Sequence, residues 1–198
     1  MRHLKWSFYF FSLFFVNTDS FAGDLIQKVQ ETYRTTPAIE AEFVQKTYVE
    51  ILEREIEEKG SLILAKPGRF NIHYKGRRER RYISDGKKLW IVHLREKETE
   101  VFEDIQKMVS PEALTFLSGL GEMEKDFQVA EDHSGKTDRL ILTPRRPESP
   151  FKKIVLWIDP KMNLAKEIEL YPENGNRSHY RFERIKVKDD IASSLFHP

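Results

Sequence analysis

The 198-residue chain contains no cysteine. Disulfide staples and thiolate metal sites are therefore excluded, and the fold holds together by packing and hydrogen bonds. An excess of charge is also missing: Lys and Arg number 33 against 32 Asp and Glu. Such a balance gives no field to draw in nucleic acid or an anionic membrane surface. The run Arg77-Arg78-Glu79-Arg80-Arg81 is a local exception and reads as a solvated hairpin end. Chemistry-bearing motifs are absent too. His73, His93, His133, His179 and His197 are scattered, with no His-Glu-x-x-His, so zinc has no visible site. There is no Gly-x-Ser-x-Gly elbow and no glycine-rich loop to cradle phosphate. Glu55, Glu57 and Glu58 sit in a charged stretch and read as a solvated face, not an acid–base pair. No catalytic residue, metal ligand or cofactor motif is visible, which disfavours an enzyme. Sites assembled from distant residues leave no trace in a linear reading.

The N-terminus has three parts. Met1 to Lys5 is basic, Trp6 to Val16 is apolar with five phenylalanines, and a short polar stretch ends in Ser20-Phe21-Ala22. This is the pattern of a secretory signal peptide, cleaved after Ala22. The alternative is an uncleaved N-terminal anchor, although the apolar run is shorter than the roughly 20 residues a spanning helix needs. Removing residues 1–22 leaves equal numbers of acidic and basic side chains, and no cysteine to carry a lipid. Residues 23–198 are then expected to form one soluble domain, a monomer.

Asp24 is placed to cap a short helix in which Leu25, Val29 and Tyr33 recur every four residues, ending at Thr35-Thr36-Pro37. From Ile39 the period changes to two. Ile39, Ala41, Phe43, Gln45, Thr47, Val49 and Ile51 share one face of a long half-buried strand. The charge-dense stretch from Leu52 to Lys59 reads as an exposed hairpin connection or edge. Gly60 to Leu94 reads as three strands and their turns. Leu62 and Leu64 alternate with polar or small neighbours, Lys66-Pro67-Gly68 breaks the run, and Phe70, Ile72 and Tyr74 alternate again. Asp85-Gly86, between Tyr82-Ile83-Ser84 and Leu89 to Val92, is a hairpin signal of the type I′ kind. Ser110-Pro111-Glu112 opens a very apolar helix through Ala113, Leu114, Phe116, Leu117 and Leu120, closed by Gly119 and Gly121. It suits a cover over a sheet or a plain core helix. Strands follow at 127–130, 139–143, 154–158, 165–171 and 178–187, and Ile191 to Phe196 offers a last helical turn. The sum is nine or ten strands joined by hairpins, in a mainly β fold. A sheet this large curls, and its concave face needs filling by side chains, a helix or a ligand.

Together these elements resemble the LolA-type periplasmic lipoprotein carrier family. The resemblance is carried by Phe43-Val44-Gln45-Lys46, by Gly60 to Phe70 with Leu62 and Pro67, and by Ser84-Asp85-Gly86-Lys87-Lys88-Leu89-Trp90. It continues more weakly through Ser110 to Leu120, Leu140 to Pro144, Leu156 to Asp159 and Leu195-Phe196. It implies a large curled antiparallel sheet of about eleven strands, forming an unclosed β-barrel with a helical lid and an N-terminal helix. It also implies a Gram-negative periplasm, no cofactor and no bond-making chemistry. The cargo would be triacylated lipoproteins, taken from an inner-membrane LolCDE-type ABC transporter and passed to an outer-membrane LolB-type receptor. Each buried methylene is worth about 0.8 kcal/mol, so one long acyl chain already costs more than about 10 kcal/mol to expose to water.

Carried over to this sequence, the resemblance assigns lipid contact to Phe43, Leu62, Leu64, Phe70, Ile72, Leu89 and Ile91 on the sheet. It assigns Leu114, Phe116 and Leu117 to the lid's underside, and adds Leu142 and Trp157 from the later strands. Ile72 departs from the larger aromatic the family often has there. Where the family often has an arginine that latches the lid, this chain has Lys66, which has three donors but no planar fork. The chain also stops at Pro198, short of the longer tail of some members, which bears on partner choice. A different reading on the same fold is a periplasmic domain that senses lipids or lipoproteins instead of moving them. Fold alone does not decide between the two.

Overall fold

A computed structural model of the chain describes residues 23–110, 113–114 and 123–198. Helix α1 (Asp24–Thr35) is followed by strands β1 (Ala38–Val49), β2 (Arg54–Ala65), β3 (Arg69–Lys75), β4 (Arg80–Ser84), β5 (Leu89–His93) and β6 (Glu98–Phe102). A one-turn helix α2 (Met123–Asp126) leads into β7 (Phe127–Asp132), β8 (Arg139–Pro144), β9 (Phe151–Ile158), β10 (Ala165–Pro172) and β11 (Arg177–Lys188). All eleven strands form one sheet, in the order β6-β5-β4-β3-β2-β1-β11-β10-β9-β8-β7, and every pairing is antiparallel. Two meanders are thus sewn together by the long β1–β11 ladder. β6 and β7, consecutive in sequence, are the opposite free edges, so the barrel is not closed.

Alternation decides which face each residue takes. Ile39, Leu64, Phe70 and Leu89 form one cross-strand row, with Ala41, Leu62, Ile72, Tyr82 and Ile91 beside it. In the other half, Ile168 pairs with Leu156 and Leu170 with Ile154, and these continue to Leu140 and Leu142. On β11 the strict period fails. Tyr180 and Phe182 face inward, yet so does Ile185, three positions on. The β1–β11 register shifts between Glu40 and Glu42, and Arg184 sits at φ 50. This bulge adds one residue and keeps the apolar side chains on the concave face.

Helix α1 lies on the concave face of the second half-sheet. Val29 and Tyr33 are buried in one core with Met123, Phe127, Leu140, Leu142, Ile154, Leu156, Ile158 and Leu164. The helix begins one residue earlier than the cap reading implies. Gly23, at φ 125, precedes it, and Asp24 is its first helical residue, paired with Lys28 at 2.5 Å and not capping the turn. On the convex face, Phe196 in the last 3-10 turn is buried against Ala38, Ala65 and Ile191, with Ile63 beside it. Asn71 Nδ2 donates to the Leu195 carbonyl at 2.7 Å, and the Arg69 guanidinium lies 4.8 Å from the centre of the Phe196 ring. The chain's end therefore docks, as the sequence suggests.

Two local readings need correcting. Gly60 to Leu94 holds the end of β2 and all of β3, β4 and β5, four strands and not three. The stretch from Leu52 to Lys59 is more than a connection: Arg54 to Lys59 is the first half of β2, paired residue for residue with β1, while the β3 pairing begins only at Lys59, so Arg54 to Glu58 is an exposed edge. Its hidden alternation has a physical reason. This part of the hairpin reaches beyond the apolar core, so both of its faces carry charged side chains. The Asp85-Gly86 hairpin forms, but through the four residues 85–88. Asp85 Oδ1 accepts the amides of Lys87 and Lys88, each at 2.8 Å, and Gly86 takes φ 95. Burial pushes the Asp85 carboxyl up, and the amides of Lys88 and Lys87 outweigh it, leaving the group below its ordinary range.

An apolar pocket on the concave face

The two halves of the sheet curl toward one another and border a common cavity of about 240 Å³. Ile39 and Phe43 of β1, Leu62 and Leu64 of β2, and Ile72 and Tyr74 of β3 line one side. Phe151 and Ile154 of β9, Ile168 and Leu170 of β10, and Tyr180, Phe182 and Ile185 of β11 line the other. Tyr33 of α1, with Leu164 and Ala165, closes one end, and Ala113 reaches it from the β6–β7 connection. The Tyr33 hydroxyl accepts the Ala165 amide at 3.1 Å, and burial pushes its pKa up to about 12.

At the far end the lining turns aromatic. Phe43 meets Tyr74 edge-on with ring centres 5.1 Å apart, and Tyr180 at 5.9 Å. Tyr74 meets Tyr82 at 5.9 Å, and Tyr180 stacks with Phe182 at 6.4 Å. The belt crosses β4, β3, β1 and β11, passing over β2 at Gly60, which has no side chain to obstruct it. Beyond the belt, Arg80 pairs with Glu58 through two bonds of 2.7 and 3.2 Å. That bond to Glu58 pushes the guanidinium further up from its ordinary value.

The sequence-expected contacts fall in different places. Phe43, Leu62, Leu64 and Ile72 line the cavity. Phe70 and Leu89 are buried next to it with Ile105, and Ile72, Ile91 and Leu114 pack on that cluster. The Ser110 cap is formed, since the Ala113 amide donates to Ser110 Oγ at 3.3 Å and the Leu114 amide to the Ser110 carbonyl at 2.9 Å. Phe116 and Leu117 lie outside the described residues. Leu142 faces inward, but it is fully buried in the core beneath α1.

Trp157 is on the wrong face. It sits between the inward Leu156 and Ile158, so the pleat turns it outward, where it pairs across strands with Arg139 and Glu167. Its ring lies 5.9 Å from His179, which shares a 2.8 Å bond with Glu167. Lys66 is occupied elsewhere than in a lid latch. Its ammonium donates to the carbonyls of Tyr33 and, at 2.5 Å, Arg34, and so caps the C-terminus of α1. Burial, and then the charge of Arg34, lower the Lys66 pKa.

Sequence reasoning missed Tyr33, Ile168, Leu170, Tyr180, Phe182 and Ile185. The signal for Ile168 and Leu170 was present as alternation with Glu167 and Glu169. For Ile185 the bulge hid it. Among the described residues there is no group of three or more potential metal ligands, and no helix long and apolar enough to cross a membrane.

Fold and site together define an unclosed-barrel protein whose concave face carries an apolar pocket. The chain belongs to the family described as outer membrane lipoprotein carrier protein LolA, whose model matches residues 34–198. It is similar to the outer-membrane lipoprotein carrier protein of Legionella pneumophila (strain Corby), at 29% identity over 150 residues, 75% of this chain and 73% of that one. The namesake in Pseudomonas syringae pv. tomato is 25% identical over 142 residues, covering 71% and 67%. A LolA superfamily protein from Nitrosomonas europaea shares the fold with a TM-score of 0.50 at 12% identity, covering 89% of this chain and 97% of that one.

Proposed function

We propose that the protein is a periplasmic carrier of acylated lipoproteins, made as a precursor whose residues 1–22 are a signal peptide and whose residues 23–198 are a single carrier domain. The observation that carries this reading is the apolar pocket on the concave side of an unclosed sheet. A hydrocarbon chain there leaves water without any covalent step, and transfer of each methylene contributes about 0.8 kcal/mol. The pocket residues are aliphatic and aromatic side chains from both sheet halves, which suits a ligand without directional chemistry. Family membership supports the direction of traffic, from an inner-membrane LolCDE-type transporter to an outer-membrane LolB-type receptor.

A cavity of about 240 Å³ is below the roughly 300–1,000 Å³ typical of ligand pockets. Three acyl chains therefore require it to widen, and an open edge between β6 and β7 lets the two half-sheets separate without breaking a ladder. The test is release. Membrane vesicles holding the transporter and a triacylated lipoprotein are given ATP and the mature protein. The carrier reading expects a soluble complex of lipoprotein and protein that depends on both; lipoprotein that stays with the vesicles throughout contradicts it.

A further inference from the structure

Beside the aromatic belt, β1 and β11 carry polar side chains on the concave face, and their hydrogen bonding is incomplete. Gln45, the polar member of the Phe43-Val44-Gln45 motif, is only 9% exposed. It lies directly opposite Glu58 on β2 and Tyr180 on β11. Its Nε2 donates to Thr47 Oγ1 at 2.8 Å, and that hydroxyl is 2.9 Å from Ser178 Oγ. Its Oε1 is buried with no partner. Exchanging the two ends of the amide moves the deficit to nitrogen without removing it. A buried polar atom left unpaired is costly, and such an atom calls for an explanation.

A second deficit lies alongside. The hydroxyls of Tyr74 and Tyr180 are 3.3 Å apart and share one hydrogen bond. Whichever accepts has its own proton left over, with no acceptor among the described residues. Burial raises the pKa of both, so both stay protonated and both remain donors. The charge of Arg80 is already neutralised: Arg80 holds Glu58 through two bonds and lies 4.1 Å from the centre of the Tyr74 ring. The collar thus offers one spare hydroxyl donor, one spare amide acceptor and no net charge from this pair.

We propose that this collar binds the neutral polar head of an acyl amphiphile, one with a carbonyl to accept from the tyrosine pair and an O–H or N–H to donate to Gln45, while its hydrocarbon lies against Phe43 and Ile168. The inference rests on the carrier reading and deepens it. A fatty carboxylate fits less well, because it has no donor for Gln45. Acylglycerol esters and N-acylated amino-acid esters share the required chemistry.

The test is displacement of a fluorescent apolar dye from the full protein by monolauroylglycerol, by N-lauroylglycine methyl ester and by laurate. The wild type is expected to prefer the neutral heads over laurate, by about fivefold for each well-made hydrogen bond. Gln45→Leu and Tyr180→Phe should each move that ratio toward one. A loss with monolauroylglycerol alone assigns the head to an acylglycerol; a loss with the amide alone assigns it to an acylated peptide. Unchanged ratios in both variants overturn the collar and leave the carrier reading standing. No displacement by any of the three from the wild type overturns both. Tyr180→Phe removes a single oxygen atom, so it carries the test should Gln45→Leu lose the fold.

Discussion

The ring of Phe43 rests over the bare backbone of Gly60, its direct partner across β1 and β2. A Cβ built on Gly60 would stand 2.5 Å from Phe43 Cζ and 2.3 Å from the His73 carbonyl oxygen. Gly60→Ala is therefore an overpacking change and should cost about 1–3 kcal/mol. A lowered urea midpoint with an unchanged slope is the expected result. Phe43→Leu should not rescue it, because the backbone oxygen of His73 remains in place. A Gly60→Ala protein as stable as the wild type would mean that this row of the sheet is packed differently.

Lys66 gives a second prediction. Lys66→Met removes the donors on the last carbonyls of α1 and should cost about 1 kcal/mol, the scale of a charged C-cap on a helix. Amide exchange in α1 should accelerate, while dye affinity changes little. A large gain in cavity access with α1 unaffected would restore the latch role that the sequence suggested.

How much of this was legible in the sequence follows from where the period of two survives. Leu62, Leu64, Phe70 and Ile72 alternate cleanly because one face is buried and the other wet, and the structure puts them together. Leu52 to Lys59 reads as an exposed connection or edge because both faces of β2 are charged there. The resemblance alone assigns lipid contact to Trp157. In the run Ile154 to Ile158 every residue is apolar, so the pattern gives no parity, and only the register with Arg139 and Glu167 reveals its face. The latch role of Lys66 rests on analogy with an arginine, and its reach to α1 joins residues 32 and 33 positions apart, a contact with no linear signature.

Tyr33 joins α1 to the sheet through the Ala165 amide. Tyr33→Phe keeps the packing and strands a buried N–H, so a loss of about 1–3 kcal/mol is expected. Chemical denaturation measures it, and amide exchange at Ala165 should rise in step. A neutral substitution would require another acceptor at that position.

His133 supplies the pH dependence. Its ring bonds Asp138 at 2.9 Å and Glu131 at 3.1 Å, and these, Asp138 first, raise its pKa above the ordinary value. The protonated form is therefore favoured by folding. Its stabilisation is full below the unfolded value, about 6.5, and is lost as pH rises through the folded one. The ring's NMR titration should have its midpoint above about 6.5. The stability gap between wild type and His133→Gln should close toward alkaline pH. A gap that widens with pH would reverse the assignment.

The central claim is that acyl chains lie on the concave face, between the two half-sheets. A lipoprotein carrying photoreactive acyl chains, loaded onto the protein and irradiated, reads this directly. Adducts are expected on Phe43, Leu62, Ile72, Ile168 and Tyr180, and none on Trp157 or Val155, two convex residues of β9. Adducts confined to the convex face, or to neither, would contradict it.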